Sequence, residues 1–331
     1  MTVHRWFASA KRLARPLVLN PWVTRALFMI DRRLHRLRGS SGEERTYAIG
    51  VLSGPQPLSL HEPIEVSNPV IRAENVTDMD AGLVADPFWI RYEDAWWMFF
   101  EAYNNHARKG EIACARSSDG MKWTYVGCVL RERFHLSYPQ VFQHEGNCYM
   151  IPETGEAESV RLYRALEFPR RWRLERTLLH GKYVDPTVFE ADGRWWMFAM
   201  RNEGEVAEYD LHLFWAESIT GPWHAHRDNP IVRADDSRAR PAGRVVVQDD
   251  QIIRFSQVCQ PRYGTAVRAW RITALSPERY AEEPIGRDPL LEGSNTGWNA
   301  DGMHHIDPMR LEENRWFACV DGWYQNAPAP P

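Results

Sequence analysis

The stretch ADPFWIRYEDAWWMFFE, residues Ala85–Glu101, decides the fold because the chain repeats its pattern four more times. Each copy begins with a short proline-containing motif, continues as an apolar segment, turns at polar residues, and ends as a second apolar segment. The further copies are SYPQVFQHEGNCYMIPE (Ser137–Glu153), VDPTVFEADGRWWMFAM (Val184–Met200), ARPAGRVVVQDDQIIRFSQ (Ala239–Gln257) and IDPMRLEENRWFACVDG (Ile306–Gly322). Repeats of this kind predict five equivalent β-hairpins.

The segments that follow the hairpins extend each unit to four strands. A third strand, a tight turn and a fourth strand follow each of the first four hairpins, which gives a repeat of about 50 residues, typical of β-propeller blades. Only nine residues follow the fifth hairpin. Thr46–Ile64 has the missing strand–turn–strand form, so we expect it to pair with the C-terminal hairpin and close the ring. A β-sandwich or jelly roll, the rival architecture, does not predict five equivalent hairpins. The sequence therefore predicts an all-β, five-bladed propeller over residues 46–331.

Residues 1–45 read as a separate basic extension with a linker. The first 38 residues carry nine Lys or Arg and one acid, Asp31, whereas the whole chain has a net charge of −4. The remainder is therefore acidic and a poor nucleic-acid binder. Apolar residues at helical spacing predict an amphipathic helical segment. Residues 1–38 then either lie on an anionic membrane surface or act as a tether or docking helix for a partner, such as a glycosyltransferase.

Composition predicts a cytoplasmic protein that is at most peripheral to a membrane. No apolar run approaches the roughly 20 residues that span a bilayer, and no cleavable signal peptide is evident. The five cysteines are scattered without CxxC spacing. The sequence therefore indicates neither a zinc site nor a disulfide framework.

The propeller prediction also brings polar residues from distant parts of the chain together. The innermost strands of a propeller surround its axis, so the proline motifs and the ends of the aromatic strands should converge on one mouth of the central well. The residues expected there are Asp86, Glu101, Tyr138, Glu153, Asp185, Arg201, Arg240, Arg244, Gln257, His304, His305, Asp307 and Asp321.

A ring of carboxylates balanced by Arg and His suits the chemistry of glycoside hydrolysis. That reaction needs one protonated carboxyl to assist the leaving group and one ionised carboxyl as base or nucleophile. Crowding raises one pKa, and a neighbouring arginine lowers another. No cofactor is required. Three roles are open for His304 and His305: catalysis, binding of a metal ion on the axis, or hydrogen bonds that stabilise the structure.

The combined motifs VADPFWI, WWMFFE, FHLSYPQVF, VDPTVF, ARPAGRV and GWNADGMHHIDP resemble a known family. They are similar to the five-bladed propellers of glycoside hydrolase family 43 and its invertase-like relatives. Over about Thr46 to Gly322 they more closely resemble the N-terminal-domain family of glucosamine inositolphosphorylceramide transferase and its bacterial relatives.

The resemblance to family 43 implies roles for individual residues. It implies that Asp86 is the general base and that Asp185 orients the substrate and modulates a pKa. It also implies a glutamate general acid at the start of the fourth blade, where this chain has Arg240. The proton donor must then come from elsewhere, and Glu153 and Asp307, with Glu101, are the candidates. Arg240 would suit an anionic ligand.

Two functions follow as hypotheses. The first is a glycosidase-like propeller that hydrolyses or transfers glycosidic bonds of a surface or lipid-linked glycan. In it Tyr138, Arg201, Arg240, Arg244 and Gln257 bind substrate, and so do Glu101, His304, His305 and Asp321. The second is a non-catalytic glycan-binding or scaffold module that assists a glycosyltransferase during polysaccharide biosynthesis. Related propellers host both kinds of function, so the fold alone does not separate them.

Overall fold

The computed structural model describes residues 45–202 and 209–325, and Arg45–Gln325 forms one compact unit. Five antiparallel sheets make up this unit, and each hairpin predicted from the sequence supplies two strands of one sheet. The predicted five-bladed propeller is confirmed. The basic helical segment predicted over residues 1–45 lies outside the described residues.

The blades follow one another along the chain, with the innermost strand of each given first. The first has β3 (Ala81–Tyr92), β4 (Ala95–Asn104), β5 (Lys109–Ser117) and β6 (Thr124–Leu130); the second has β7 (Ser137–His144), β8 (Asn147–Glu153), β9 (Ser159–Glu167) and β10 (Arg171–His180). The third has β11 (Tyr183–Ala191), β12 (Arg194–Arg201), β13 (Asp210–Ala216) and β14 (His224–Ala225). The fourth has β15 (Val246–Gln248), β16 (Gln251–Val258), β17 (Ala266–Ser276) and β18 (Arg279–Pro284), with β19 (Leu291–Glu292) also paired to β17.

The fifth blade joins the two ends of the described chain. It runs from β20 (Gly302–Glu312) through β21 (Arg315–Gln325) to β1 (Arg45–Gln56) and β2 (Ser59–His61). β1 pairs with β21 in continuous antiparallel register from Arg45 opposite Gln325 to Gly54 opposite Trp316. Because a ring has no free inner edge, this pairing satisfies backbone groups that an open seam would expose.

The hydrophobic core is divided among the five interfaces between neighbouring blades. In the interface between the fifth and first blades, Val51 and Phe317 pack with Trp89, Trp96 and Met98. The tryptophan-rich strands therefore serve chiefly as packing surface, since indole rings bury large areas between sheets. Such packing holds the inner strands around the axis, where the polar residues lie.

A bulge interrupts the inner hairpin of the first three blades at the residue before the motif proline. Asp86, Tyr138 and Asp185 have φ values of 53°, 47° and 50°, and the strand register shifts at each of them. A left-handed backbone at a non-glycine residue is uncommon and costs free energy, so it concentrates at functional sites. Three equivalent residues thus share one strained conformation.

The fifth copy of the motif is out of register with the others. Its bulge lies between Gly302 and His305, whereas the sequence aligned Asp307 with Asp86. His305 pairs with Asp321 as Phe88 pairs with Phe99. Asp307 therefore lies further along its strand than Asp86 does, and His304 stands beside the bulge instead.

Within residues 45–202 and 209–325, no helix is both long and apolar enough to cross a membrane. The helical elements described are short 3-10 turns such as Ala73–Asn75 and Gly297–Asn299. All five cysteines are free thiols.

Candidate functional site

Five carboxyl groups gather where the inner strands surround the axis. Each of the five blades except the fourth contributes at least one of them, and they interact electrostatically with one another. They are Asp86 and Glu101 of the first blade, Glu153 of the second, Asp185 of the third and Asp321 of the fifth. The fourth blade supplies Arg240 and Gln257 instead.

Asp185 is held in place by Arg240 and Gln257 of the fourth blade. The Arg240 Nε donates to Asp185 Oδ2 at 2.5 Å, and its Nη2 lies 3.5 Å from Oδ1. Gln257 Nε2 donates to the same Oδ2 at 3.1 Å and to the Pro241 carbonyl at 2.9 Å. Asp185 is 1% exposed, so this charged pair is largely removed from water and fixed in geometry.

Asp321 holds two neighbours at once. Its Oδ1 lies 2.6 Å from His304 Nδ1, and its Oδ2 accepts the Asp86 backbone N–H at 2.9 Å. On the other side of the imidazole, His304 Nε2 lies 3.7 Å from Asp86 Oδ1. Burial would lower the pKa of His304, but Asp321 and Asp86 outweigh it and the pKa is raised. The order along this contact is Asp321, His304, Asp86.

Glu101 and Glu153 favour their protonated forms. Burial, reinforced by the other carboxylates, raises the pKa of both well above the usual range. Asp185 contributes to the raised pKa of Glu153, and the Ser137 hydroxyl lies 3.4 Å from Glu153 Oε2. A buried carboxyl with a raised pKa is the kind of group that general-acid chemistry uses.

His135 contacts Glu101 from the loop before the second blade. Its Nδ1 accepts the Gly110 backbone N–H at 2.9 Å, and burial lowers its pKa. A neutral imidazole that accepts at Nδ1 carries its proton on Nε2. That Nε2 lies 3.7 Å from Glu101 Oε1, so His135 presents an N–H to the carboxyl.

Tyr138 occupies the strained position of the second blade but faces packed surroundings. Its hydroxyl lies 2.8 Å from Thr187 Oγ1 and accepts the Gly243 N–H at 2.6 Å. Gly243 has φ 132°, and a Cβ there would lie 1.7 Å from the Ile306 carbonyl oxygen. Only glycine fits this close approach, which explains the glycine of the ARPAGR motif. Tyr138 of the second blade therefore connects to the third blade through Thr187 and to the fourth through Gly243.

His305 lies against the same aromatic group with both ring nitrogens unpaired. Its ring contacts Phe88 and Tyr138 edge-on, at centroid distances of 4.6 and 5.3 Å. Its side chain is fully buried, and neither Nδ1 nor Nε2 has a hydrogen-bond partner. Burial lowers its pKa to about 4. His305 is therefore neutral.

Asp307 and Arg244 form a separate ion pair deeper along the inner strands. Arg244 Nε donates to Asp307 Oδ1 at 2.7 Å, and its Nη2 donates to the Trp89 and Val141 carbonyls at 3.0 and 3.1 Å. The Trp89 backbone N–H donates to Asp307 Oδ2 at 2.9 Å. This pair ties four blades together, and these contacts fill the hydrogen-bonding capacity that a proton donor would need.

Arg201 stands one residue beyond the position equivalent to Glu101. Val184 pairs with Met200 as Ala85 pairs with Glu101, so Met200 is the counterpart in the third blade. Because alternate residues of a strand point to opposite faces, Arg201 and Met200 present their side chains to different sides of the sheet.

Three site residues were not identified from the sequence. Tyr263 lies in the loop between β16 and β17, where Arg240 stacks on its ring at 4.8 Å and its edge meets His304 at 5.2 Å. Tyr47 of β1 contacts the other side of His304 at 5.5 Å. His135, the third, precedes the SYP motif by two residues, which was an available signal. Neither tyrosine belongs to any repeated motif.

Asp86, His304 and Asp321 also offer one metal-ligand atom each, all within 4.8 Å of one another. Both Asp321 oxygens and His304 Nδ1 are already engaged in the hydrogen bonds described above. The Asp86 carboxyl oxygens and His304 Nε2 remain, whereas Ca²⁺ takes about six to eight oxygen ligands. The triplet fits a hydrogen-bonded chain better than a metal site.

The sequence comparisons agree with this architecture. Residues 40–323 match the family described as glucosamine inositolphosphorylceramide transferase 1, N-terminal. The chain belongs to this family. The rice protein named glucosamine inositolphosphorylceramide transferase 1 (Oryza sativa subsp. japonica) is 36% identical over 300 residues, which cover 84% of this chain and 40% of the rice protein. The chain thus spans about two fifths of the length of this curated relative.

Solved structures show the same fold at low sequence identity. A β-1,2-mannobiose phosphorylase from Listeria innocua superposes with a TM-score of 0.56 at 11% identity, covering 77% of this chain and 94% of the other. An exo-1,5-α-L-arabinanase from a bovine ruminal metagenomic library gives 0.52 at 12% identity, covering 72% and 93%. These structures share the fold, and the predicted family resemblance is confirmed.

The protonation of Asp86 gives the site a measurable pH dependence. Burial, with Asp321 and Asp185 adding to it and His304 opposing it, raises the pKa of Asp86 from 3.8 to about 7. The native state then holds this proton more tightly than the unfolded state does. The stability it contributes is complete below about pH 4 and is lost as pH rises through 7, at most about 1.4 kcal/mol per pH unit.

We expect the difference in unfolding free energy between wild type and Asp86→Asn to shift in favour of the variant between pH 4 and pH 8. Urea unfolding at several pH values measures it. Asp192→Asn is the matched control, because Asp192 has the same left-handed backbone, φ 52°, but lies in an exposed turn. Parallel pH curves for wild type and both variants would contradict the shifted pKa.

Proposed function

We propose that this chain is a carbohydrate-active propeller that cleaves or transfers a glycosidic bond. The observation that supports this most is that two neighbouring carboxyls have different surroundings: Glu153 is buried with a pKa raised well above the usual range, whereas Asp185 is bound at both oxygens by Arg240. Asp86, with an unpaired Oδ1 in the same cluster, supplies the second working carboxyl. Two carboxyls in different protonation states are the minimum that the reaction needs.

Each group then has a defined task. Asp86 takes a proton from the attacking water, or attacks the anomeric carbon itself. Glu153 gives its proton to the leaving oxygen as the glycosidic bond breaks. Asp185, which Arg240 and Gln257 hold in place, is the positioning carboxylate. Asp307, bound at both oxygens by Arg244 and Trp89, has a structural task. Glu153, and not Asp307, is therefore the residue that protonates the leaving oxygen.

Glu153→Gln tests the proton donor. The assay uses two sets of glycosides, aryl glycosides with acidic leaving groups and alkyl glycosides with basic ones. General-acid assistance contributes about 10²–10⁴-fold and matters most for poor leaving groups. We expect Glu153→Gln to lose alkyl glycoside turnover by this factor and to retain most aryl glycoside turnover. Its fall in activity at alkaline pH should also disappear.

Glu190→Gln is the matched control for this experiment, because Glu190 lies exposed on β11. Glu101→Gln is the competing assignment, since Glu101 has a raised pKa as well. Equal losses on aryl and alkyl substrates in Glu153→Gln would reject Glu153 as the donor. Selective loss in Glu101→Gln would move the role there.

A second candidate function is a glycan-binding or scaffold module that works with a glycosyltransferase. The observation that favours it is Arg240, which stands where the family 43 resemblance implies a glutamate acid and which occupies both oxygens of Asp185. Calorimetric binding of glycans without turnover of any of them by wild type would support this candidate and reject the enzyme.

A further inference from the structure

The acid–base roles proposed above do not involve Asp321 or His304. Both residues nevertheless contact Asp86, Asp321 through the Asp86 backbone N–H and His304 through the Asp86 carboxyl. Asp321 is fully buried and uses one oxygen for the His304 ring and its backbone N–H, at 2.6 and 3.3 Å, and the other for the Asp86 backbone N–H. One carboxylate therefore fixes both the imidazole and the strained backbone of the aspartate that the imidazole faces.

We propose that His304 is a positioning residue that receives the proton Asp86 removes from water, and that Asp321 fixes His304 in the orientation and tautomer this requires. The inference rests on the proposed function, because it gives Asp86 the part of a base. It also explains why the fifth blade places a histidine beside its bulge, out of register with the other motifs.

The tautomer follows from the hydrogen bonds. An ionised Asp321 only accepts, so the neutral imidazole must carry its proton on Nδ1 and leave a lone pair on Nε2. That Nε2 faces Asp86 Oδ1 at 3.7 Å, and His305 Nδ1 lies 3.9 Å from the same oxygen, which has no hydrogen-bond partner. Catalytic hydrogen bonds are often long before the substrate binds and shorten in the complex.

The proton transfer balances without any further reactant. An O–H bond of water breaks as its oxygen attacks carbon, and the proton passes to Asp86 Oδ1. It then moves to His304 Nε2, which gives an imidazolium between two carboxylates. Asp86 is again ionised. Once the product has left, the imidazolium releases this proton to solvent, and Glu153, which gave its own proton to the leaving oxygen, takes one up from solvent. Asp321 stays ionised throughout, as does the aspartate that orients the catalytic histidine of a Ser-His-Asp triad.

The surroundings of His304 favour this charge. Both packed rings, Tyr47 and Tyr263, remain neutral because burial raises their pKa. His305 is neutral as well. The charged or titratable groups that act on Asp86 and His304 are Asp321, Asp185, Arg240, Glu101, Glu153, His305, Tyr47, Tyr138 and Tyr263. Asp321 and Asp86 raise the pKa of His304 against the effect of burial, so an imidazolium is stabilised here.

Ring-¹⁵N histidine NMR of the substrate-free protein tests the inference independently of turnover. His304→Gln identifies the His304 signals by their absence. In wild type we expect the neutral ring to be protonated at Nδ1. In Asp86→Asn we expect the midpoint of His304 titration to fall by at least about one pH unit, because the facing carboxylate favours the imidazolium. Asp321→Asn should abolish the Nδ1–H preference and lower the midpoint further.

Asp192→Asn is the control and should leave the His304 signals unchanged. Circular dichroism and melting of each variant show whether it is folded, and Asp86→Asn serves alone if Asp321→Asn does not fold. A neutral Nε2–H tautomer in wild type, or a His304 titration unaffected by Asp86→Asn, would overturn the inference. The NMR experiment uses no substrate, so its outcome does not depend on turnover. A failure of the proposed glycosidic activity can therefore be told apart from a failure of this inference.

Discussion

Asp86→Asn should abolish turnover while leaving the protein folded and able to bind its glycan. Removal of a positioned base costs about 10²–10⁴-fold in rate, and better leaving groups should not restore it, in contrast to Glu153→Gln. Asparagine tolerates the left-handed backbone of this position and keeps its N–H bonded to Asp321. The loss should therefore appear in kcat, with the glycan dissociation constant measured by calorimetry changed little.

The same substitution gives a stability readout that supports the interpretation. Active sites are often less stable than the rest of the fold would allow, so Asp86→Asn should raise the unfolding free energy at pH 8, where the buried carboxyl of wild type is ionised. Asp192→Asn again provides the control for the substitution itself. Full activity of Asp86→Asn on every glycan that wild type turns over would falsify the assignment of Asp86 as the base.

Asp307→Ala should produce the largest loss of stability among the acidic residues of the well. The substitution leaves Arg244 without the carboxylate that accepts hydrogen bonds from its Nε and Nη2. It also leaves the backbone N–H of Trp89 without an acceptor. Breaking a buried ion pair on one side costs about 3–5 kcal/mol. Chemical unfolding monitored by tryptophan fluorescence measures the change in midpoint.

The matched control is Glu217→Ala, which breaks the surface pair between Arg194 and Glu217. Exposed pairs of that kind contribute about 0–1 kcal/mol. If both variants lose the same small amount, the Arg244–Asp307 pair is not the structural tie described above. If Asp307→Ala instead loses turnover with its stability intact, the proton donor is Asp307 and not Glu153.

The repeats allowed the fold to be predicted because propeller blades are local units. Each hairpin, with its proline, polar turn and aromatic strand, lies within a short segment of the chain, and its period is visible without any long-range contact. The pairing of β1 with β21 was also predictable, because no outer strands follow the fifth hairpin and Thr46–Ile64 has the missing strand–turn–strand pattern. Asp86 and Asp185 were found for the same reason, as equivalent residues of two repeats.

The parts of the site that break the repeat were harder to find. Asp307 shares the Asp-Pro pattern but lies out of register, because the fifth-blade bulge falls at Met303 and His304. Tyr263 reaches the site from a loop whose length and course no strand pattern fixes. His305 is neutral and Asp321 charged only because of what surrounds them, and their neighbours come from distant segments.

The amino-acid sequence by itself determined the number of blades, the strand that closes the ring, and the acidic lining of the axis, since all three follow from residue type repeated at fixed spacing. The tertiary structure decided which acids carry protons and which are tied by arginine. Those states depend on burial and on charges a few ångströms away, and such distances exist only once the blades have closed on one another.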